Sequence, residues 1–314
     1  MPILFSIIIP HYNIPDLLRR CLDSIPRRDD LEVIVVDDHS DPAIVDFDNL
    51  PGRERPDVTI LRNDSKGCGS ARNKGMEAAK GRWLIFADAD DFFTYCLNSM
   101  LDKYADSDAD IIYFRPLDID SEYYCRSSGS FARSRDSRRY FDTCIKDKKK
   151  GEKLLRYAWA EAWSRMIRHK FVAEAGIRFD DVPINEDVAF GYTTGHMARS
   201  VIVEQHCIYA VTSRPNSLSQ WESEKLFLSK VDIFGRKERF LRDNTPYTFL
   251  NRVDRSHYMA WARLVMNGSE AGRLASGRLK ELRLLGPTAY IHFAYYAAKH
   301  IAKWLLGRPH PKLN

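Results

Sequence analysis

The sequence predicts an α/β fold, a mostly parallel doubly wound sheet followed by a helical C-terminal extension. Strand-like and helix-like segments alternate through the first 115 residues, the pattern that builds such a sheet. The run Trp83, Leu84, Ile85, Phe86 lacks a polar face, as expected where helices cover both sides of a sheet. From about residue 221 the periodicity is helical to the end.

In chain order, the run FSIIIP is the first strand and LLRRCLDSI the first helix. EVIVVDD and VTILRN follow as strands, GSARNKGMEAAKG as a helix, WLIFADADD as a buried strand with an acidic end, LNSMLDKYA as a helix and IIYFR as a strand. Residues 116–150 lose the rhythm and read as a polar loop region or insertion. LLRYAWAEAWSRMIRHKFVAEAG reads as one helical stretch ended by Gly176. VIVE and CIYAV are later extended runs, and the helical tail breaks near 244–246, at Gly268 and at Gly286–Pro287.

A chain of 314 residues can bury one large domain or two ordinary ones. Its 44% hydrophobic and 29% charged residues describe a globular protein, not a disordered one, and the net charge of +5 is mild. The basic runs RSRDSRR and KDKKKGEK are either solvated faces or a match for an anionic surface or phosphate-rich substrate. Six scattered cysteines without a CxxC pair fit a reducing cytosol. The apolar run at the N-terminus is too short for a secretion signal, and no stretch is long enough for a spanning helix.

Polar groups gather where strands end. Asp88, Asp90 and Asp91 follow the run WLIF, where ligands collect at the carboxyl edge of an open α/β sheet. On extended backbone Asp88 and Asp90 point the same way and can share one cation, with Asp91 facing elsewhere. Hard oxygen ligands suit Mg²⁺ or Mn²⁺ carrying a phosphate-bearing substrate. The competing reading makes Asp91 a helix N-cap with solvated neighbours. An EF-hand loop is excluded by the missing Gly and distal Glu.

Asp37 and Asp38 end the strand EVIVV. A carboxylate there can accept from a base N–H while Tyr12 stacks on the ring, or Asp38 and Ser40 can simply bond a local turn. KGCGSARNKG offers small residues for close approach, with Lys66 and Arg72 as phosphate-pairing cations. It is no dinucleotide fingerprint, because the first strand runs into PHYN instead of glycines. Glu186 and Asp187 in INEDVAFGY sit at a helix start, as caps or as a general base.

The ordered set SIIIPHYN, EVIVVDDHSD, GCGSARNKGMEAAKGRWLIFADADDFF, AWSRMIRHKF, INEDVAF and YAVTSRPNSLS, over residues 3–220, resembles the glycosyltransferase family 2 enzymes of the GT-A fold. The resemblance implies a catalytic domain over 1–220, with a nucleotide-binding half at 1–115 and an acceptor-binding half at 116–220, and a helical region at 221–314. It implies inverting transfer of a sugar from a nucleotide sugar, with uridine as the base, to a hydroxyl of a glycan or lipid-linked glycan in surface polysaccharide synthesis. Pro10 and Tyr12 would line the base pocket, Asp38 would read the base, Asp88 would approach the ribose, and Asp90 would bind a divalent metal, Mn²⁺ or Mg²⁺. Asp187 would be the base, with Glu186 the runner-up. Trp163 would shape a sugar pocket or pack in the core, and Arg214 would close over the diphosphate or anchor its loop. Ala89 stands where the family often has Ser or Thr, at a position that need not touch metal.

Two rivals remain at this point. A sugar-phosphate nucleotidyltransferase needs a glycine- and basic-rich loop after the first strand, which PHYN does not supply. A non-catalytic carbohydrate-binding protein on the same fold would be favoured by lost carboxylates, and here they are present. No nucleic-acid partner is expected. In the tail, Ile291, Ala294, Tyr295, Ala298, Ile301, Ala302 and Leu305 recur at helical spacing beside Lys299, His300, Lys303 and Arg308. This stripe over 287–308 either packs on the catalytic domain or lies in a membrane interface, which would place a cytoplasmic enzyme on the inner face of the cell membrane.

Overall fold

The computed structural model describes residues 1–120, 135–213, 223–245 and 255–306. Its elements are β1 (Phe5–His11), α1 (Pro15–Asp23), β2 (Leu31–Asp37), β3 (Val58–Arg62), α2 (Cys68–Ala78), β4 (Trp83–Phe86), β5 (Phe92–Phe93), α3 (Cys96–Tyr104), β6 (Ile111–Phe114) and β7 (Leu117–Asp120). There follow α4 (Arg135–Lys146), α5 (Lys148–Tyr157), β8 (Arg165–Arg168), α6 (His169–Glu174), α7 (Asp187–Met197), β9 (Val201–Glu204) and β10 (Tyr209–Ser213). The tail holds α8 (Glu224–Asn244), α9 (Ser256–Met266), α10 (Glu270–Glu281) and α11 (Pro287–Leu305). The chain forms two compact units, one of residues 1–181 and 190–215, the other of residues 182–189 and 216–314.

In the first unit a seven-stranded sheet has the order β3-β2-β1-β4-β8-β6-β9. Every residue of β1 and β4 is buried, so the apolar runs are explained by cover on both faces. β1 pairs in parallel with β2 on one side and β4 on the other, so the direction of winding reverses there and opens a crevice at the strand ends. The register His11↔Asp37 and Asp37↔Arg62 brings three polar residues to one edge. α2 lies tight on β1, because a Cβ on Gly75 would stand 2.4 Å from Ile8 Cγ2. A small second sheet runs β5-β10-β7.

Two expectations are corrected. The single helix expected through residues 154–176 is interrupted by β8, which lies antiparallel between β4 and β6. Ser164, with φ of 58°, breaks the helical path, and buried Arg165, Met166 and Ile167 gain ladder partners in mid-sheet. Tertiary pairing here overrides local helix preference. Residues 116–150, expected as a loop, contain β7, α4 and the start of α5. Polar composition concealed a helix whose buried face is carried by few residues, Phe141 among them.

The second unit is helical over its described tail. Phe227, Val231, Tyr258, Trp261, Leu264, Leu279, Leu284 and Ala289 form its core. The breaks expected at Gly268 and Gly286–Pro287 separate α9, α10 and α11, and Gly268 adopts a φ of 72° that favours glycine. On α11, Ala289, Phe293 and Tyr296 face this core. In the stripe read from the sequence Ile291 is 67%, Tyr295 59%, Ile301 49% and Leu305 70% exposed. Among the described residues no helix is long and apolar enough to cross a membrane.

Candidate active site

The edge of β1 and β2 is built by hydrogen bonds between buried side chains and the backbone. His11 Nδ1 lies 3.0 Å from Asp37 Oδ1, and its Nε2 accepts from the Ile14 N–H at 3.3 Å. With Nε2 accepting, Nδ1 is the nitrogen that donates to Asp37. Burial would raise the Asp37 carboxyl, but the bonds from His11 and Ser40 outweigh it and hold the group below its ordinary value. Asp37 therefore makes the local turn bond, to the Ser40 N–H at 3.2 Å.

Asp38 does something else. Its carboxylate accepts the Gly67 N–H at 2.9 and 3.0 Å and the Asn63 side-chain amide at 2.8 Å. Asn63 also donates to Ser70 Oγ at 2.7 Å, so the loop entering α2 is tied to the end of β2. Gly67 can serve there because its φ of 139° is open to glycine. The turn reading of Asp38 is thus replaced by a link to a loop 29 residues away. Asn63 was not singled out from the sequence, although a polar residue at the end of VTILR was the available signal. Exposed Lys66 stands with its Nζ 5.6 Å from the ring centroid of Tyr12, which is 40% exposed, while Pro10 is buried within β1.

The acidic segment is a turn, not an extended strand end. The Asp91 N–H donates to the Asp88 carbonyl at 3.0 Å, and one carboxylate oxygen from each of Asp88, Asp90 and Asp91 lies within 4.8 Å of the others. The alternation expected on extended backbone fails because the turn folds all three acids together. Arg72, a candidate phosphate partner, holds Asp88 Oδ1 at 2.7 Å and lies 5.4 Å from the Phe179 ring. Phe179 is clamped in turn by Asn73, which accepts its N–H at 2.9 Å and donates to its carbonyl at 3.0 Å.

β10 backs this turn. The Tyr209 hydroxyl accepts the Asp88 N–H at 2.8 Å and donates to Asp91 Oδ2 at 2.9 Å. The Thr212 N–H donates to Asp91 Oδ1 at 2.7 Å, and Thr212 Oγ1 and the Arg20 guanidinium both donate to the Asp90 carbonyl. Asp91 is fully buried, so it neither caps α3 nor faces solvent. Burial, followed by the Asp91 and Asp88 charges, pushes the Tyr209 phenol well above its ordinary value. Burial and the same acids also push the Cys21 thiol up, which keeps it inert. Trp163 is 2% exposed, stacked 5.8 Å from Tyr209 at 14°, so it packs in the core behind the turn.

Asp187 is the first residue of α7 and Glu186 precedes it, both half-buried in the other compact unit. Asn185 before them has a φ of 57°. Arg214 lies outside the described residues. The acidic turn meets the chemical demands of a hard divalent cation, which are oxygen donors, closely spaced and negatively charged. Asp88 and Asp90 would supply the ligands, and Tyr209 and Thr212 hold the two oxygens of Asp91.

Residues 6–163 match the family described as Glycosyl transferase family 2. The chain is 24% identical over 249 residues to the putative glycosyltransferase EpsH of Bacillus subtilis, covering 76% of this chain and 69% of EpsH. It is 37% identical over 93 residues to a poly(ribitol-phosphate) beta-glucosyltransferase of Bacillus spizizenii, covering 28% of this chain and only 15% of that protein. In fold it is similar to S. aureus TarS 1–349 in complex with UDP-GlcNAc, with a TM-score of 0.60, 17% identity and coverage of 98% and 93%. The mannosyltransferase PcManGT of Pyrobaculum calidifontis, in complex with GDP-Man and Mn²⁺, matches with a TM-score of 0.51, 18% identity and coverage of 98% and 86%.

Proposed function

Because the chain belongs to glycosyl transferase family 2 and is a glycosyltransferase with a mostly parallel α/β sheet of GT-A type, we propose that it transfers a sugar with inversion from a UDP-sugar to a hydroxyl of a glycan or lipid-linked glycan. The observation that carries this reading is the gathering, in the first compact unit, of Asp38, Tyr12, Lys66 and the Asp88–Asp90 turn at the carboxyl ends of β1, β2 and β4. The first unit is then the catalytic domain. A nucleotidyltransferase or a purely binding role does not accord with the family.

In this reading Tyr12 stacks on the base, with Pro10 shaping the pocket behind it, and Asp38 reads a base N–H while holding the Gly67 loop in place. Lys66 pairs with the diphosphate, and Asp88, oriented by Arg72, approaches the ribose. A divalent cation, Mn²⁺ or Mg²⁺, held by Asp90 and Asp88 would neutralise the charge that develops on the departing diphosphate. Asp187 takes the proton of the acceptor hydroxyl as its oxygen attacks the anomeric carbon from the face opposite the leaving group. Inversion follows from that single displacement. Glu186 is the alternative base. Arg214 is a candidate for closing over the diphosphate. Trp163 acts through packing, behind Tyr209.

The poly(ribitol-phosphate) beta-glucosyltransferase among the relatives supports an acceptor that is a surface polymer or its lipid-linked precursor. The exposed stripe of α11, flanked by exposed Lys299 and Lys303, supports peripheral contact with the inner face of the cell membrane by a cytoplasmic enzyme. Thermal denaturation with a panel of nucleotide sugars and Mn²⁺ tests the donor. A UDP-sugar should raise Tm and be hydrolysed or transferred, and stabilisation by a guanosine or cytidine nucleotide sugar alone would overturn the uridine assignment.

A further inference from the structure

Each acid of the turn is fastened to β10 by a different group: Asp88 by its amide, Asp90 by its carbonyl and Asp91 by its carboxylate. None of these ties uses the carboxylate of Asp88 or Asp90. Two of them meet in one atom, the Tyr209 hydroxyl oxygen, which accepts from Asp88 and donates to Asp91. Its ring is locked between Trp163, stacked at 14°, and Phe93, 5.3 Å away edge-on. β5 extends this support, since it follows Asp91 directly and pairs with β10 through Tyr209↔Phe93.

We infer that Tyr209 and Asp91 form a buried brace that sets the Asp88–Asp90 pair for its cation, with Asp91 holding the turn instead of serving as a ligand. The inference rests on the cation reading given above and goes beyond it by assigning positioning residues 118 and more positions apart in the chain. Two physical demands lead to it. Three carboxylates within 4.8 Å repel one another, so the turn must be held by groups other than those that bind the ion. A buried acid whose two oxygens are already held by Thr212 and Tyr209 keeps its place whether or not an ion is bound.

The test uses the full chain and Mn²⁺ alone, with binding read from the loss of the free-ion signal in electron paramagnetic resonance. Tyr209→Phe keeps the ring and removes the hydroxyl, and should weaken Mn²⁺ binding about tenfold, the scale of outer-sphere substitutions at metal sites. Asp91→Asn should weaken it by a similar factor. Phe93→Leu, which disturbs the same packing without touching the hydroxyl, should lower Tm yet hold the Mn²⁺ affinity within about twofold. Tyr209→Phe binding Mn²⁺ as the parent does, or Phe93→Leu weakening it equally, overturns the brace. A parent protein that binds no Mn²⁺ overturns the cation reading and the brace with it. Should Tyr209→Phe fail to fold, Thr212→Val removes the hydroxyl tie to Asp90 at nearly equal volume and is judged by the same criteria.

Discussion

Asp38 accepts the Gly67 N–H on both carboxylate oxygens, at 2.9 and 3.0 Å, and so ties the end of β2 to the start of α2. Asp38→Ala leaves that N–H without its side-chain acceptor and removes one of the acceptors of the Asn63 amide. The expected cost is about 1–3 kcal/mol of stability, with UDP affinity falling tenfold or more, on the order of 1.4 kcal/mol. Thermal denaturation and calorimetric titration with UDP measure the two effects. Unchanged UDP affinity would separate this loop from nucleotide binding.

The roles proposed for the carboxylates predict different signatures. Asp187→Asn should lower kcat by about 10²- to 10⁴-fold with little change in donor affinity, since it removes only the proton acceptor. Asp90→Ala should abolish the Mn²⁺ dependence of donor binding. If Glu186→Gln is the variant that loses turnover and Asp187→Asn retains it, the two acids exchange roles.

The second unit should show acid sensitivity traceable to Glu238. Burial alone would raise this carboxyl, yet His257, with Nε2 2.9 Å from Oε2, and the charge of Arg242 lower it from 4.5 to about 2. A carboxyl depressed in the folded state contributes stability above its unfolded value, and that contribution fades as pH falls from 4.5 toward about 2. Glu238→Gln should therefore be less stable than the parent at neutral pH, with the gap closing across that interval in urea unfolding. A gap that stays constant down to about pH 2 refutes the assignment.

The outward stripe of α11 predicts vesicle binding. Ile291→Asp with Leu305→Asp should abolish co-sedimentation with anionic liposomes while leaving Tm nearly unchanged, because both side chains are mostly exposed. Equal sedimentation of parent and variant would assign the stripe another use.

Much of the fold is legible in the order of the residues. β1, β2 and β4 announce themselves through runs with no polar face, and α2 through small residues that fit against Ile8. The tail helices are bounded where Gly268 and Pro287 require it. β8 was hidden because RMIR is a strand only by virtue of its neighbours Leu84 and Ile112. For the same reason the sequence could suggest the acids at 88–91 but not their turn, nor the hydroxyl that joins them from position 209. Local spacing carries no information about partners more than a hundred residues away. Trp163 shows the converse limit, since an aromatic within a family motif looks the same from sequence whether it lines a pocket or fills the core.

The place of β8 also governs the order in which this protein can assemble on the ribosome. β4 and β6 are both complete by residue 114, yet they do not pair with each other, and the strand that joins them emerges only at residues 165–168. Until then the nascent chain carries one unpaired edge on β4 and two on β6, whose other neighbour β9 comes later still, the kind of surface that recruits chaperones or other chains. Translational pausing before residue 165, or fragments ending there, should therefore be aggregation-prone, and the late strand acts as the clasp that joins β6 to β4.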